Sequence, residues 1–168
     1  MELGPYLVLA TLEGAVTAAV LALTAVGLSL VFGVMRVVNI AHGEFFMLGA
    51  VLAWWIAQSM VGHPAIGFAL ALVAAPLIVG ALAVAADMAI LKRLNYDPER
   101  ATQADREMAL AFGIPVERVY AGVFGLGAAL AALAGVLIVP IQQAHYLMGA
   151  DPLLLSFIVV IIGGLGSL

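Results

Sequence analysis

The sequence contains no cysteine, which excludes disulfide bridges, thiol nucleophiles and cysteine metal sites. It is also poor in charge: charged residues make up 10% of the chain, whereas about 25% is usual in soluble domains. The net charge is −4, and no basic tract resembles a nucleic-acid binding surface. These deficits argue against a thiol enzyme and against a nucleic-acid partner.

The first residues also lack the positively charged region of a cleaved signal peptide, so we expect the first apolar run to be a retained membrane span. Apolar side chains fill the sequence instead. They account for 65% of the 168 residues, and the mean hydropathy is +1.21. A soluble domain of this size could not hide so much apolar surface, so the composition predicts an integral membrane protein in contact with the lipid bilayer.

Five apolar runs match the length of membrane helices, which need about 20 residues, although the last is incomplete. They cover roughly residues 6–35, 43–60, 65–91 and 119–139, and a segment that begins near Leu153. We therefore predict an all-α fold, a polytopic transmembrane helix bundle of about four to five membrane helices that includes broken or re-entrant segments. We expect the chain to form a single membrane domain, with N-terminal helices in residues 1–91, a loop in 92–118 and C-terminal helices in 119–168.

Residues 92–118 form the one long hydrophilic segment of the sequence, and they contain five of its six basic residues. Loops rich in lysine and arginine stay on the cytoplasmic side of a membrane. The charge pattern therefore predicts that residues 92–118 face the cytoplasm.

The most polar part of the membrane region is residues 36–44, where Asn39, His42 and Glu44 lie around a possible helix break at Gly43. A helix that starts near Gly43 would direct its free N–H groups and its positive dipole end toward the carboxylate or carbonyl of a small substrate. The alternative is an interfacial loop in which Arg36 pairs with Glu44, and the residues favour neither interpretation. His42 and Glu44 lack a third ligand nearby, so we predict no metal site.

The glycine-rich end of the chain contains Gly163, Gly164 and Gly166. It is not a phosphate loop, because no lysine follows it and the run before it is typical of a membrane helix. A broken helix that lines a cavity fits better, and it adds these glycines to the candidate pathway. No Walker motif occurs, so any ATP hydrolysis must come from another chain; we predict neither an enzyme nor a cofactor.

Two rows of small residues recur every four positions on the fourth predicted helix. The first row is Ala121, Gly125 and Ala129, and the second is Gly127, Ala131 and Gly135. Rows of this kind let helix backbones approach closely in lipid. They predict helix packing and not a substrate site.

Residues 26–50, VGLSLVFGVMRVVNIAHGEFFMLGA, resemble the opening signature of the permeases of branched-chain amino-acid ABC importers. Residues 104–114 and 151–168 are similar to two further blocks of that family. Importers of urea and short amides share these patterns, so the substrate stays open between the two groups. The resemblance implies a multi-pass protein of the bacterial inner membrane, with separate ATPase subunits, a second permease subunit and a periplasmic substrate-binding protein as partners.

The resemblance also implies a role for the loop, since a cytoplasmic helix of such permeases docks on the ATPase. Glu107, Ala109 and Gly113 hold the spacing of its consensus, with Arg106 beside them; the alternative is a solvated connecting loop. Family members are nearly twice as long. The chain therefore resembles an N-terminal part joined near Arg100 to a coupling part, with the middle helices deleted and the end truncated.

Three hypotheses follow from these residues. The first is an importer permease for branched-chain or related small amino acids, and the second is a non-transporting membrane fragment that packs with partner helices. A proton-coupled secondary transporter ranks third, and it should respond to a pH gradient without any ATPase.

Overall fold

The computed structural model describes residues 3–91 and 116–164. Helices occupy most of both ranges, and neither range contains a strand. The helices are α1 (Leu3–Met35), α2 (His42–Ser59), α3 (Pro64–Ala86), α4 (Val116–Ile138) and α5 (Ala150–Gly163). The predicted all-α membrane bundle is confirmed, and each helix starts within three residues of its predicted position.

Three helices in the described ranges are long and apolar enough to cross a membrane, namely Leu3–Met35, Pro64–Ala89 and Val116–Ile138. With 33 residues, α1 extends over about 50 Å, more than the roughly 30 Å of a hydrocarbon core. The 18 residues of α2 and the 14 residues of α5 cover only about 27 Å and 21 Å. Within residues 3–91 and 116–164 the bundle thus combines three long helices with two shorter ones, consistent with a fold that includes broken segments.

The backbone at the helix ends explains several of these boundaries. α1 ends where Arg36 adopts a left-handed conformation with a φ of 55°, which is uncommon for a residue with a side chain. α3 starts at Pro64, where the missing N–H has no helical partner to lose. Beyond α3, the chain widens into a π-helical turn at Asp87–Leu91. α5 ends at Gly163, and the next residue, Gly164, has a φ of 93°, which suits glycine because it has no Cβ.

The centre of the bundle is α4, which packs against α1, α2 and α3 at once. Glycines of α4 form close contacts with each of these neighbours. Gly127 lies against Gly27 of α1, and Gly135 lies against Phe46 of α2. Gly125 lies against Gly80 of α3. A Cβ atom on Gly135 would collide with the carbonyl oxygen of Phe46, so the two backbones touch directly. Lipid supplies no hydrophobic force between helices, and close packing of this kind takes its place.

The two small-residue rows on α4 face different neighbours. In the first row, the Cβ of Ala129 lies 3.2 Å from the Cβ position of Gly80 on α3. In the second row, Ala131 belongs to a buried cluster with Val20 of α1 and Phe46 of α2. The first row therefore faces α3, and the second faces α1 and α2.

Candidate functional site

The connection between α1 and α2 forms a tight turn at the start of α2. The N–H of Arg36 donates to the carbonyl of Phe32 at 2.8 Å, which closes the last turn of α1. The N–H of His42 then donates to the carbonyl of Asn39 at 3.2 Å, and the N–H of Glu44 to that of Ala41 at 3.0 Å. Asn39 is thereby held directly against the first residue of α2.

His42 is fully buried and joins α2 to α1. Its Nε2 lies 3.0 Å from the carbonyl oxygen of Thr24. Because a carbonyl can only accept, Nε2 carries the hydrogen of this bond, and Nδ1 of the neutral ring is left as an acceptor. The Thr24 hydroxyl does not compete for the ring, since it donates to the carbonyl of Val20 at 2.8 Å.

This hydrogen bond shows beside which part of α1 the helix α2 begins. Thr24 lies 11 residues before the end of α1 at Met35, which is about 16 Å along the helix axis. The connection therefore runs back alongside α1, and α2 starts beside a residue about two-thirds of the way along that helix. Since α1 is one of the long apolar helices, the start of α2 lies inside the bundle and not at its end.

A second helix begins at the same place. Gly149, the residue before α5, lies against Gly43, and a Cβ atom on either glycine would collide with the carbonyl oxygen of the other. The Cβ of Leu153, in the first turn of α5, lies 3.2 Å from the Cβ position of Gly43. The first turns of α2 and α5 therefore adjoin at Gly43 and Gly149, a contact that we call the crossing. The partial positive charge at the start of each helix falls in this region.

Three buried polar atoms around this crossing have no hydrogen-bond partner within the described ranges. They are Nδ2 of Asn39, Nδ1 of His42 and Oγ of Ser156. Buried polar atoms are nearly always paired in folded proteins, so each of these three atoms has hydrogen-bonding capacity left for a water molecule or a ligand.

Comparison with known families identifies the chain. The family model for the permease component of the branched-chain amino acid transport system matches residues 10–98 and 99–168. The chain belongs to this permease family. The two matched segments meet close to the join that the sequence predicts near Arg100. No curated protein and no solved structure matches the chain.

In this permease the predicted break residues have different environments. His42 and Gly43 are buried, Asn39 is half-buried, and Glu44 is exposed. Within the part of the chain that the structure describes, no ion pair joins Glu44 to Arg36, which is exposed as well. Among the described residues the structure thus shows no such pair for an interfacial loop, and it places His42 in the interior and Glu44 at the surface.

The other predicted site residues lie elsewhere. Gly163 and Gly164 are at the far end of α5, about 20 Å along that helix from the crossing, so the structure does not bring them together with His42. Gly166 falls outside the described residues. So do the predicted coupling residues, which are Arg106, Glu107, Ala109 and Gly113.

Ser156 is the polar residue that sequence reasoning missed. It is fully buried on the inner face of α5. The signal was present in the sequence, since Ser156 is the one hydroxyl in the apolar segment between Leu153 and Ile162. A lone serine in a membrane helix is common enough that only its burial without a partner distinguishes it.

Proposed function

We propose that this permease is the membrane subunit of an ABC importer that moves branched-chain or related small amino acids inward by alternating access. The observation that carries the proposal is the buried start of α2 at His42 and Gly43, in the middle of a bundle of this family. A polar helix start is costly inside a membrane unless it is used. Discontinuous helices that begin near the middle of the bilayer bind substrates in several transporter folds.

Within this proposal the break from Asn39 to Glu44 forms part of the substrate pathway. The first turn of α2 offers a positive dipole end to the carboxylate of an amino acid. Gly163 and Gly164 would line a different stretch of the pathway, because they lie at the end of α5 that is distant from the break. Gly166 is proposed for the same stretch from the sequence alone.

ATP hydrolysis in the proposed importer belongs to separate ATPase subunits, since the sequence has no Walker motif. A second permease subunit and a periplasmic substrate-binding protein complete it in the bacterial inner membrane. Residues 92–118 face the cytoplasm, following the distribution of basic residues. There Arg106, Glu107, Ala109 and Gly113 form the contact with the ATPase.

Uptake into proteoliposomes tests the proposal. The permease is reconstituted with its ATPase, its partner permease and its binding protein, and uptake of labelled leucine is followed with and without ATP. We expect uptake that requires ATP and stops with a hydrolysis-deficient ATPase. Uptake driven by a pH gradient without the ATPase would contradict the proposal, and uptake of urea in place of leucine would change the substrate class.

Co-purification tests the coupling contact. Glu107→Lys reverses a charge in the coupling motif, and Gly113→Pro changes the residue that is expected to end the helix. Both variants should lose the ATPase on co-purification, whereas Glu99→Lys makes the same charge change outside the motif and should retain it. The coupling assignment fails if both motif variants hold the ATPase as firmly as the unaltered chain does.

A non-transporting membrane protein that packs with partner helices is the second candidate. One observation favours it: residues 3–15 of α1 are exposed throughout, and most of them are apolar. This half of α1 can pack against helices of a partner as well as against lipid. Stable association with the partner permease, without any leucine flux, would support this candidate over the importer.

A further inference from the structure

The unpaired atoms of Asn39, His42 and Ser156 belong to segments that meet in the fold: Asn39 precedes α2, His42 opens it, and Ser156 lies on α5. Ser156 lies one helical turn after Leu153, which contacts Gly43 at the start of α2. It also lies one turn before Val160, which packs against Ala25 and Leu28 of α1. The inner face of α5 therefore carries Ser156 between the Gly43 crossing and the segment of α1 that binds His42.

Burial makes this group unusual. The side chains of His42 and Ser156 each have 0% of their surface exposed, so bulk water cannot satisfy them. Asn39 is half-buried, at the edge where the connection reaches the surface at Arg36, Val38 and Ile40. His42 and Ser156 therefore depend on a partner inside the fold, whereas Asn39 lies where the connection approaches the surface.

The hydrogen-bonding capacity of the three atoms is mixed. Nδ2 of Asn39 is a donor that lacks an acceptor. Nδ1 of His42 is an acceptor that lacks a donor, because Nε2 already donates to Thr24. The hydroxyl of Ser156 can donate and accept. A ligand that satisfies all three must therefore carry both an acceptor and a donor within a small volume.

We propose that Asn39, His42 and Ser156 bind the zwitterionic head group of an amino acid where α2 and α5 begin. The carboxylate accepts from Nδ2 of Asn39 and from the hydroxyl of Ser156, and the ammonium group donates to Nδ1 of His42. The inference rests on the proposed function, and it adds α5 and Ser156 as the second half of the substrate site.

The orientation of the head group rests on the three side chains. Each of the two adjoining helix starts contributes a partial positive charge, but the exposed carboxylates of Glu44 and Asp151 lie in the same first turns and offset it. None of the three side chains carries a fixed opposite charge. The site therefore suits a head group that is neutral overall more than a free anion or a free cation.

Leucine binding to the full chain in lipid nanodiscs tests the proposal, because it requires no partner subunit. Ser156→Ala should weaken binding of labelled leucine by about 10-fold or more, since it removes a hydrogen bond to a charged group. Ser59→Ala is the matched control: the Ser59 hydroxyl already donates to the carbonyl of Ile56 at 2.7 Å, so its removal should leave leucine binding unchanged.

The thermal stability of the ligand-free protein separates binding from a structural role. Ser156→Ala removes a buried hydroxyl without a partner, so the melting temperature should stay the same or rise. A fall in melting temperature with unchanged leucine affinity would overturn the proposal, because the hydroxyl would then serve the fold, for instance through a buried water molecule.

Leucine analogues test the assignment of each half of the head group. Leucine amide, which lacks the carboxylate, and 4-methylpentanoate, which lacks the ammonium group, should each bind about 10-fold or more weakly than leucine. Asn39→Leu should reduce the discrimination against leucine amide, because the donor for the carboxylate is gone. Equal binding of all three ligands to the unaltered chain would overturn the proposal.

The outcomes also distinguish this inference from the proposed function. ATP-dependent uptake with unchanged leucine binding in Ser156→Ala would leave the importer in place and reject the site. Leucine binding that is lost in Ser156→Ala, without ATP-dependent uptake, would support the site and reject the importer.

Discussion

The two halves of α1 have similar apolar content but opposite environments. The half from Val20 to Met35 packs against α4 and α5 and contains seven buried residues, whereas residues 3–15 are exposed throughout. Gly27 in the packed half faces the backbone of Gly127, but Gly14 in the exposed half has no atom within 4 Å of its Cβ position. Apolar composition therefore makes a membrane helix, and the presence of a partner helix at the right height decides whether its faces are buried.

The largest expected difference in stability between the halves comes from replacing a leucine residue by alanine. Leu28 is 1% exposed and packs with Ala25 and Val160, while Leu12 is 59% exposed. Leu28→Ala should lower the free energy of unfolding by about 3 kcal/mol, because it leaves a cavity in a packed interface. Leu12→Ala should change it by less than about 0.5 kcal/mol.

Reversible unfolding in mixed micelles measures both leucine variants. Equal losses in the two would show that the exposed half is buried against something in the membrane, and the contrast between the halves would then disappear.

Glycine should show an intermediate difference. The Cβ position of Gly27 lies 2.9 Å from the carbonyl oxygen of Gly127 and 3.1 Å from Cε1 of His42. Gly27→Ala should therefore destabilise the bundle by about 2 kcal/mol, because backbone atoms cannot rotate away. It should also reduce leucine uptake by displacing His42.

The matched variant Gly14→Ala should be neutral or slightly stabilising, since alanine favours helix and nothing is crowded. The same micelle assay compares the two glycine variants. A harmless Gly27→Ala would show that α1 and α4 can separate without loss.

The smallest difference is expected for threonine. Thr24 and Thr17 donate to the carbonyl four residues earlier, at 2.8 Å in both cases, but Thr24 is buried and Thr17 exposed. Thr24→Val should cost about 1 kcal/mol, and Thr17→Val less than about 0.5 kcal/mol. A larger cost for Thr17→Val would indicate that its hydroxyl meets a partner in the membrane.

Much of the fold was accessible from the sequence, and less of the site. The start of α2 at His42 lies one residue from the helix start predicted near Gly43, because the polar residues of segment 36–44 interrupt the apolar run there. The depth of that start was not accessible. It depends on a hydrogen bond between His42 and the Thr24 carbonyl, and 18 residues separate the two along the chain.

The role of α5 was also hidden in the sequence. Its predicted importance lay in the glycines at its end, but Gly149, Leu153 and Val160 are residues that meet the other helices. Ser156 lies between Leu153 and Val160 in the sequence and is buried. The meeting of Gly149 with Gly43 joins two distant segments of the chain. Neither glycine signals the contact in its own neighbourhood.

By itself, the sequence determined that this chain is a helical membrane protein and which permease family it belongs to. In lipid each helix satisfies its own backbone hydrogen bonds, so helix formation is a local property that a run of apolar residues specifies. The tertiary structure alone decided which half of α1 is packed, how deep α2 begins, and that Ser156 is buried without a partner. These features depend on contacts between segments that are distant in the sequence. Close packing and hydrogen bonding between those segments decide which residues are buried and which polar atoms find a partner.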